Sequence, residues 1–418
     1  MRDSLLGETA FLLAAVCGCG LAATVSAAPQ AIRFGKLIDG AGRVLDNAVV
    51  VVDQDRVRSV GSAVPAGAEV LDLSGYTAIP GLIDVHTHIT YYWDQAPGTR
   101  PRQQGASRSL EDTIRLAEHN ARRTLEAGVT TVRDLHASRG ADITVRDRIQ
   151  QGRGVGPRMF VCGQGLARRL AGAPPGPEEV ARRVRAQIEA GADWIKMFGS
   201  TGGFEDVSGE PTFTLEEMKA AVQAAHQAGK RIAIHSYGPA GARDAVRAGA
   251  DSLEHAVDLD AETIQEMVRR GTFYVPTIDH NRYYAEYGEQ FGFAPGYRER
   301  LNAFLQRNLE TARRAFRAGV RLAMGSDAVY TMFGQNSREL EWFVRAGMTP
   351  GQALAAATTN GAALLGMEKS LGRIASGYFA DIVAVEGDPL ADIQVVIQKV
   401  RWVMKGGVVV VDRSGGRR

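Results

Sequence analysis

Between residues 78 and 325 the chain alternates short apolar runs with longer amphipathic segments. The apolar runs predict eight β-strands, at residues 78–85, 129–135, 159–162, 194–198, 231–234, 252–254, 272–277 and 321–325. The amphipathic segments predict helices between them, for example at 110–127, 177–190, 215–228 and 261–270. Strands that alternate with helices pair in parallel, so we expect an α/β fold with a (β/α)8 TIM-like barrel. Active sites of such barrels lie at the C-terminal ends of the strands.

An Ala-Gly pair recurs at the boundary between a predicted helix and the strand that follows it. It occurs in the sequences EAGVTTV, EAGADWI, QAGKRIA, RAGADSL and RAGVRLA. Glycine at this position is typical of a helix C-cap, because it adopts a left-handed backbone without steric cost. The repeated pair therefore supports the helix-to-strand order of the barrel.

The sequence before and after the predicted barrel has a different pattern, with short β-like runs separated by turns. We expect residues 29–78 and 369–418 to combine into one small β-sandwich domain, and residues 79–368 to form the catalytic barrel. Strands from both ends of the chain would then share a single sheet domain.

The first 28 residues differ again. The apolar run FLLAAVCGCGLAATV, at residues 11–25, precedes the small residues Ser26, Ala27 and Ala28, which predicts a signal peptide at 1–28. This run is shorter than the roughly 20 residues of a membrane span, so no stable membrane span is expected. We expect a periplasmic or secreted protein. Lipidation at Cys19 and an ordinary buried N-terminal segment are the less favoured alternatives.

Composition narrows the class of protein. The 418 residues include 49 Lys+Arg and 47 Asp+Glu, a formal charge of +2, which provides no electrostatic footprint for nucleic acid. After removal of the leader only Cys162 remains, which excludes a disulfide framework and a thiolate metal site. The chain reads as a soluble globular protein with a small-molecule partner.

Six of the eight histidines fall at or just after the C-terminal end of a predicted strand. They are His86, His88, His136, His235, His255 and His280. The other two, His119 and His226, lie inside amphipathic helices and fit ordinary helix positions. A single histidine at a strand end is usually structural, but six at one barrel mouth predict a metal-dependent catalytic site.

The spacing of these residues favours a shared metal centre. His86 and His88 are two apart on a strand, so both imidazoles face the same side. Asp327 follows the last strand behind a Gly-Ser turn that exposes its carboxylate. Lys196 also ends an apolar strand at the mouth, where an ammonium would repel metal ions. Either this amine carries CO2 as a carbamate, an anionic ligand, or it is a structural lysine paired with an acid.

The motifs PGLIDVHTH, WIKMFGS, IAIHSYG, SLEH and MGSDA occur in this order. On these motifs the chain, from about residue 31 to 412, resembles the amidohydrolase superfamily. The resemblance is to the imidazolonepropionase-like branch that contains metal-dependent Xaa-Pro and Xaa-Arg/Lys dipeptidases. It implies two Zn²⁺ ions bridged by carboxylated Lys196. The further ligands it implies are His86, His88 and Asp327 at one ion, and His235 and His255 at the other.

The resemblance also suggests roles beyond metal binding. Asp327 would act as general base and then as general acid. Tyr237, two residues after His235, would donate a hydrogen bond to the oxyanion and contact the substrate, unless it only caps a loop. His136, His280 and Arg282 would hold the substrate's free carboxylate. The aromatic loop TYYWDQAPGTR after His88 would line a pocket.

The expected reaction is hydrolysis of the amide bond of dipeptides or N-acyl amino acids with a free C-terminal carboxylate, as in Xaa-Arg/Lys or Xaa-Pro dipeptidases. An alternative is an amidase of cyclic amides or of N-acyl aromatic amino acids, including xenobiotic, mycotoxin-like amides. A non-catalytic binding barrel would have at least one broken ligand position, and none is visible. The resemblance further suggests a homo-oligomer.

Overall fold

The structure, a computed structural model, describes residues 29–167, 175–203 and 209–415. The expected signal peptide, with Cys17 and Cys19, lies outside these residues. The strands are β1 (Gln30–Ile38), β2 (Val44–Asp53), β3 (Arg56–Gly61), β4 (Val70–Pro80), β5 (Leu82–Thr87), β6 (Val129–Asp134), β7 (Arg158–Val161), β8 (Trp194–Phe198), β9 (Arg231–Ser236), β10 (Ser252–His255), β11 (Phe273–Val275), β12 (Ile382–Val385), β13 (Val400–Lys405) and β14 (Val408–Asp412).

The helices surround the middle strands. They are α1 (Pro101–Ala106), α2 (Leu110–Glu126), α3 (Ala141–Gln150), α4 (Pro177–Glu189), α5 (Leu215–Gln227), α6 (Pro239–Ala248), α7 (Ala261–Arg270), α8 (Ile278–Phe291), α9 (Tyr297–Arg317), α10 (Glu339–Arg345), α11 (Pro350–Ala356), α12 (Thr359–Leu365) and α13 (Gln394–Gln398). Within the described ranges, no helix has both the length and the apolar character needed to cross a bilayer.

Strands from both ends of the chain form one seven-stranded sheet, in the order β14-β13-β12-β4-β1-β2-β3. Phe34 on β1 and Trp402 on β13 are three strands apart, which in a flat sheet is about 14 Å. Their ring centroids are only 6.2 Å apart, in an edge-to-face arrangement. The sheet therefore folds over onto itself around a shared apolar core, as a small β-sandwich does.

Parallel strands form the barrel wall in two sections, β5-β6-β7 and β11-β10-β9-β8. Leu166, which follows β7, joins the first section to β8 of the second through backbone hydrogen bonds. The Leu166 amide donates to Lys196 O at 2.7 Å, and Phe198 N donates to the Leu166 carbonyl at 2.9 Å. On the other side Val85 N donates to Met324 O at 2.8 Å, and Ala323 N donates to the carbonyl of Tyr274 at 3.1 Å. The expected fold class, a TIM-like (β/α)8 barrel with a β-sandwich, is confirmed.

Two strand predictions need correction. The run 78–85 is divided between two strands, β4 and β5, because the chain passes from the sandwich to the barrel at Gly81. A side chain does not fit there, since an added Cβ would lie 2.1 Å from Thr130 Oγ1. The predicted strand 321–325 is not a regular strand. Only Leu322 in it forms an isolated bridge, to Tyr274, because the chain turns at Gly325-Ser326 toward Asp327, which has a φ of 51°.

The helix ends follow the sequence signals closely. Thr214 caps α5 in a capping box with Glu217, and Ser109 caps α2 by accepting a hydrogen bond from Asp112 N. All five glycines of the repeated Ala-Gly pair have a left-handed φ between 67° and 101°. They are Gly128, Gly191, Gly229, Gly249 and Gly319. The helices therefore end where each strand must begin.

Candidate active site

Three side chains that could hold a metal ion converge at the mouth of the barrel, from the first and last positions around the wall. His86 lies on β5, and His88 directly follows that strand. Asp327 follows the segment 321–325, which completes the barrel wall between β5 and β11. Asp327 Oδ1 is 3.0 Å from His88 Nε2 and 3.6 Å from His86 Nε2. Their ligand atoms all lie within 4.8 Å of one another, which is compatible with one shared cation.

Hydrogen bonds fix the orientation of these two imidazoles. His86 Nδ1 donates to Glu254 Oε2 at 2.7 Å, and His88 Nδ1 donates to the carbonyl of His136 at 3.0 Å. Each ring therefore presents the lone pair of its Nε2 to the site. His86 Nε2 is buried and has no hydrogen-bond partner among the described residues. A buried lone pair without a donor is a costly arrangement in an apolar interior but a fitting one for a metal ligand.

Glu254 and Arg133 form a buried ion pair behind His86, which the sequence analysis did not identify. Arg133 Nη2 donates to Glu254 Oε1 at 2.9 Å, and neither side chain is exposed to solvent. The guanidinium also donates to Val85 O at 2.6 Å and lies 4.5 Å from the centroid of Trp194. Charged residues inside the apolar strands β6 and β10 were the available signal, because such residues are rarely buried unless they are paired.

A second cluster of rings lies next to the first. The centroid of His255 is 4.6 Å from that of His235 and 4.8 Å from that of His86. His255 Nδ1 lies 2.7 Å from Thr277 Oγ1, which leaves its Nε2 available to the site. Burial lowers the pKa of His235 to about 3, and the neighbouring Lys196 adds to this effect. Burial also lowers the pKa of His255, so these two imidazoles are neutral, as metal coordination requires.

Lys196 is 2% exposed on β8, and its charge acts on His86 of the first cluster and on His235 of the second. Its Nζ lies 5.4 Å from the centroid of Phe198, and no described carboxylate lies within ion-pair distance of it. Burial lowers the pKa of Lys196, although Glu254 and Asp327 act in the opposite direction. A structural lysine paired with an acid, one of the two alternatives, is thus not what the described residues show.

His280, on α8, contacts Asp327 at two points. Its Nδ1 donates to the backbone carbonyl of Asp327 at 2.8 Å, and its Nε2 lies 3.4 Å from Asp327 Oδ2. Burial by itself would raise the pKa of the Asp327 carboxyl, but His280, His86 and His88 outweigh it and lower the pKa below its usual range. Asp327 is therefore an ionised carboxylate held in place by His280.

The backbone is strained at three of these residues. His136, His255 and Asp327 have φ angles of 105°, 72° and 51°, which non-glycine residues rarely adopt. Strain of this kind costs about 1–3 kcal/mol for each residue and is concentrated at functional sites. Gly325 makes room for the cluster, because a Cβ there would lie 2.7 Å from His86 Cβ.

The residues expected to bind a substrate carboxylate have different hydrogen-bond partners in the structure. His136 lies at the mouth, with its Nδ1 accepting a hydrogen bond from Gly165 N at 3.0 Å, so its Nε2 carries the proton. Arg282 is paired with acids of its own helix, α8. Its guanidinium donates to Asp279 at 2.8 and 3.0 Å and lies 2.5 Å from Glu286 Oε1. These contacts occupy the N–H donors of the Arg282 guanidinium, which was expected to bind the substrate carboxylate.

Tyr237 stacks on His255, with ring centroids 5.2 Å apart and an interplanar angle of 12°. Burial raises the pKa of its phenol above its ordinary value, so the hydroxyl keeps its proton. Tyr91, in the aromatic loop after His88, stacks on the ring of His88 at 5.1 Å. Both tyrosines therefore border the space above the histidines.

Comparisons with known proteins agree with this arrangement. Residues 77–410 match the Amidohydrolase family. An ochratoxinase of Aspergillus niger is 32% identical to the chain, covering 93% of it and 88% of the relative. The crystal structure of A. niger ochratoxinase has a TM-score of 0.80 at 28% identity, covering 92% of this chain and 96% of that one.

Two further relatives place the chain within the family. The crystal structure of a Xaa-Pro dipeptidase with bound methionine in its active site has a TM-score of 0.81 at 33% identity, covering 91% of this chain and 99% of that one. An imidazolonepropionase of Deinococcus deserti is 26% identical, covering 84% of this chain and 88% of the relative. The chain belongs to the amidohydrolase family, in its imidazolonepropionase-like branch, and is a hydrolase that acts on amide bonds.

Proposed function

We propose that the protein is a binuclear zinc hydrolase that cleaves the amide bond of dipeptides or N-acyl amino acids with a free C-terminal carboxylate. The observation that supports this most directly is the donor set at the barrel mouth. His86 Nε2 is buried without a partner, and it faces Asp327 and His88 at distances suited to a common cation. Imidazole and carboxylate are ligands that zinc prefers.

Each metal would have its own ligands from this chain. His86, His88 and Asp327 would hold one ion, and His235 and His255 the other. Lys196, as a carbamate, would be shared between them. When bound, two zinc ions supply a water of lowered pKa and polarise the amide carbonyl.

The environment of Lys196 supports its carboxylation. Burial favours the neutral amine, whose nitrogen lone pair forms a bond to the carbon of CO2 while one N–H proton is released to solvent. The product is an anionic carbamate with two oxygen donors. An anion at this position is balanced by two divalent cations, whereas an ammonium would be repelled by them.

Asp327 and Tyr237 would perform the steps that need protein groups. The Asp327 carboxylate, held by His280, takes a proton from the attacking water and delivers it to the leaving nitrogen. The protonated phenol of Tyr237 donates a hydrogen bond to the oxyanion that forms on the carbonyl oxygen. Both groups are buried, which strengthens these interactions.

We assign the substrate carboxylate to His136 rather than to Arg282. Burial lowers the pKa of His136 to about 4, so the ring is neutral, and the bond from Gly165 N leaves its Nε2–H free to donate. Arg282 is paired with Asp279 and Glu286 on its own helix. From His136 the carboxylate would therefore receive a single neutral hydrogen bond, which leaves its other oxygen open to a further contact.

A second candidate function is hydrolysis of N-acyl aromatic amino acids, including amides of the ochratoxin type. The likeness to the ochratoxinase favours it, and so do the tyrosines that border the histidines. The first candidate, hydrolysis of dipeptides, is supported by the similarity to the Xaa-Pro dipeptidase.

A panel of L-Xaa-L-Xaa dipeptides, N-acyl aromatic amino acids and cyclic amides would test both candidates with the zinc-loaded protein. Each acid would be compared with its C-terminal amide. Faster cleavage of the acids supports the carboxylate requirement, and preference for aromatic acyl compounds selects the second candidate. Absence of cleavage of every linear amide by zinc-loaded protein would overturn the proposal.

We also propose that the leader directs export to the periplasm or the medium, and that the protein is a homo-oligomer. N-terminal sequencing of the mature protein would show whether the chain begins near Pro29. Light scattering during size-exclusion chromatography would give the number of copies.

A further inference from the structure

A cavity of about 570 Å³ opens beside the histidines, at the mouth of the barrel. We call it the arginine–tyrosine pocket, after the side chains that define it. These are Tyr91, Tyr92, Tyr330, Arg102, Arg108 and Arg139. Tyr91 belongs to both places, because one neighbour of its ring is His88 at 5.1 Å and another is Tyr330 at 5.8 Å. A group in this pocket is therefore next to the catalytic centre.

The polar lining of the pocket is positively charged. Three arginines line it, and no carboxylate does so among the described residues. Asp94 and Asp112 are the acids that act on Arg108 from outside the lining. The carboxylate of Asp94 accepts a hydrogen bond from Ala96 N, and that of Asp112 is bound to Arg115. The pocket thus has an excess of positive charge next to aromatic rings.

Two of the arginines are held in place and one is free to engage a ligand. Arg108 donates to Tyr92 O at 2.6 Å, and its guanidinium lies 5.1 Å from the centroid of the Tyr92 ring. Arg139 donates to Thr113 Oγ1 at 2.9 Å and to Arg108 O at 3.1 Å. Arg102 is exposed and has no hydrogen bond or ion pair among the described residues. It lines the pocket, and its charge acts on the lining residues Tyr91, Tyr284 and Tyr330.

We infer that the arginine–tyrosine pocket binds an aromatic group that carries a carboxylate, with Arg102 as its principal ionic contact. This inference rests on the proposed function, whose substrate class it narrows. Tyrosine rings bind a planar group through stacking, and a guanidinium binds a carboxylate through two parallel hydrogen bonds. A pocket of this size accommodates such a group. The carboxylate is either the α-carboxylate of an aromatic amino acid or an acidic substituent on an aromatic acyl group.

Calorimetric titration of the zinc-loaded protein with 1-naphthoate and 1-naphthamide tests the inference without hydrolysis. Arg102→Gln should weaken naphthoate binding about tenfold, the effect of one lost charge-assisted contact, and leave naphthamide binding unchanged. Arg122→Gln on α2 removes an equivalent surface charge outside the pocket lining and should change neither. Naphthoate binding that is lost on chelation but is insensitive to Arg102→Gln would place the carboxylate at the metal centre and overturn the inference.

Kinetics separate the two sources of the carboxylate. N-acetylphenylalanine is compared with its amide, and an N-(carboxybenzoyl) amide with its benzoyl analogue, in wild type and Arg102→Gln. The acid whose KM rises about tenfold at unchanged kcat identifies the part of the substrate that the pocket holds. If no amide is hydrolysed, the proposed function fails, while the calorimetry still decides the pocket. If amides are hydrolysed and no KM depends on Arg102, the inference fails alone.

Discussion

His86 Nδ1 lies 2.7 Å from Glu254 Oε2, and neither side chain is exposed to solvent. Glu254 also accepts from Arg133, so one carboxylate joins a buried cation to a histidine of the site. The carboxylate fixes the imidazole with its proton on Nδ1, which leaves Nε2 as the ligand atom. The orientation of His86 thus depends on a charge pair deeper in the barrel.

Removing one partner of this pair should be more harmful than removing both. Glu254→Gln leaves the Arg133 guanidinium buried without its counter-ion, and we expect the free energy of unfolding to fall by about 3–5 kcal/mol. The double variant Arg133→Met/Glu254→Gln should recover part of that loss. Urea unfolding of the two single variants and the double variant measures this directly. Additive losses would show that the two side chains do not interact.

Metal removal should lower stability through the same site. The proposed zinc site of His86, His88 and Asp327 exists only in the folded protein, so adding zinc to chelated protein should stabilise the fold, by about 4 kcal/mol at a thousandfold excess over Kd. The measurement is the rise in Tm on zinc addition. Asp327→Asn should reduce that rise strongly, whereas Asp279→Asn, an acid paired with Arg282, should preserve it. Equal rises in both variants would contradict the assigned ligands.

Tyr237→Phe should lower kcat by about 10²–10³-fold with little change in KM, because the phenol would donate to the oxyanion rather than to bound substrate. The ring and its stacking on His255 are retained, so zinc content should not change. Tyr283→Phe is a matched control, since the Tyr283 hydroxyl is paired with Thr331 Oγ1 at 3.0 Å. A Tyr237→Phe variant with wild-type kcat would favour the loop-capping alternative.

Asp260, the N-cap of α7, should make the free energy of unfolding depend on pH. Hydrogen bonds from Arg243 and from Thr263 N lower its pKa to about 2, from an ordinary value of 3.8. A depressed carboxyl pKa stabilises the fold above the ordinary value, and this stabilisation is lost as the pH falls toward 2. Asp260→Ala should therefore cost about 1 kcal/mol near neutral pH. The difference from wild type should shrink below about pH 4.

Urea unfolding of wild type, Asp260→Ala and Asp260→Asn at several pH values checks this. Asparagine keeps an oxygen that accepts from Thr263 N but loses the charge that pairs with Arg243, so near neutral pH its cost should be smaller than that of alanine. Its cost should also shrink below about pH 4, where Asp260 of the wild type becomes protonated. A cost for Asp260→Ala that stays constant down to the lowest pH would show that the charge is not responsible.

Much of the fold was predictable because its signals are local. The helices 110–127 and 261–270 end within one residue of α2 and α7, since caps and Ala-Gly pairs are read over a few residues. The backbone geometry of the segment 321–325 was not predictable, because it depends on hydrogen bonds to β5 on one side and to β11 on the other. Strand identity there is decided by neighbours distant in the chain.

The candidate site shows the same division. His86, His88 and Asp327 were found because metal-ligating residue types stand at strand ends. Glu254 was missed because its partners, Arg133 and His86, lie on other strands. The ion pairs of Arg282 were not foreseen, since α8 was not predicted. On that helix Asp279 and Glu286 are three and four residues from Arg282, within reach of its guanidinium.

Native mass spectrometry of freshly purified, unchelated protein tests the central claim most directly, because one spectrum reports both metal and carbamate. We expect a mass increased by about two zinc ions and one CO2 for each chain, with all increments lost together on mild acidification. The Lys196→Met variant should lack the CO2 and retain less zinc. A wild-type chain that carries an unmodified Lys196 and no metal would contradict the account.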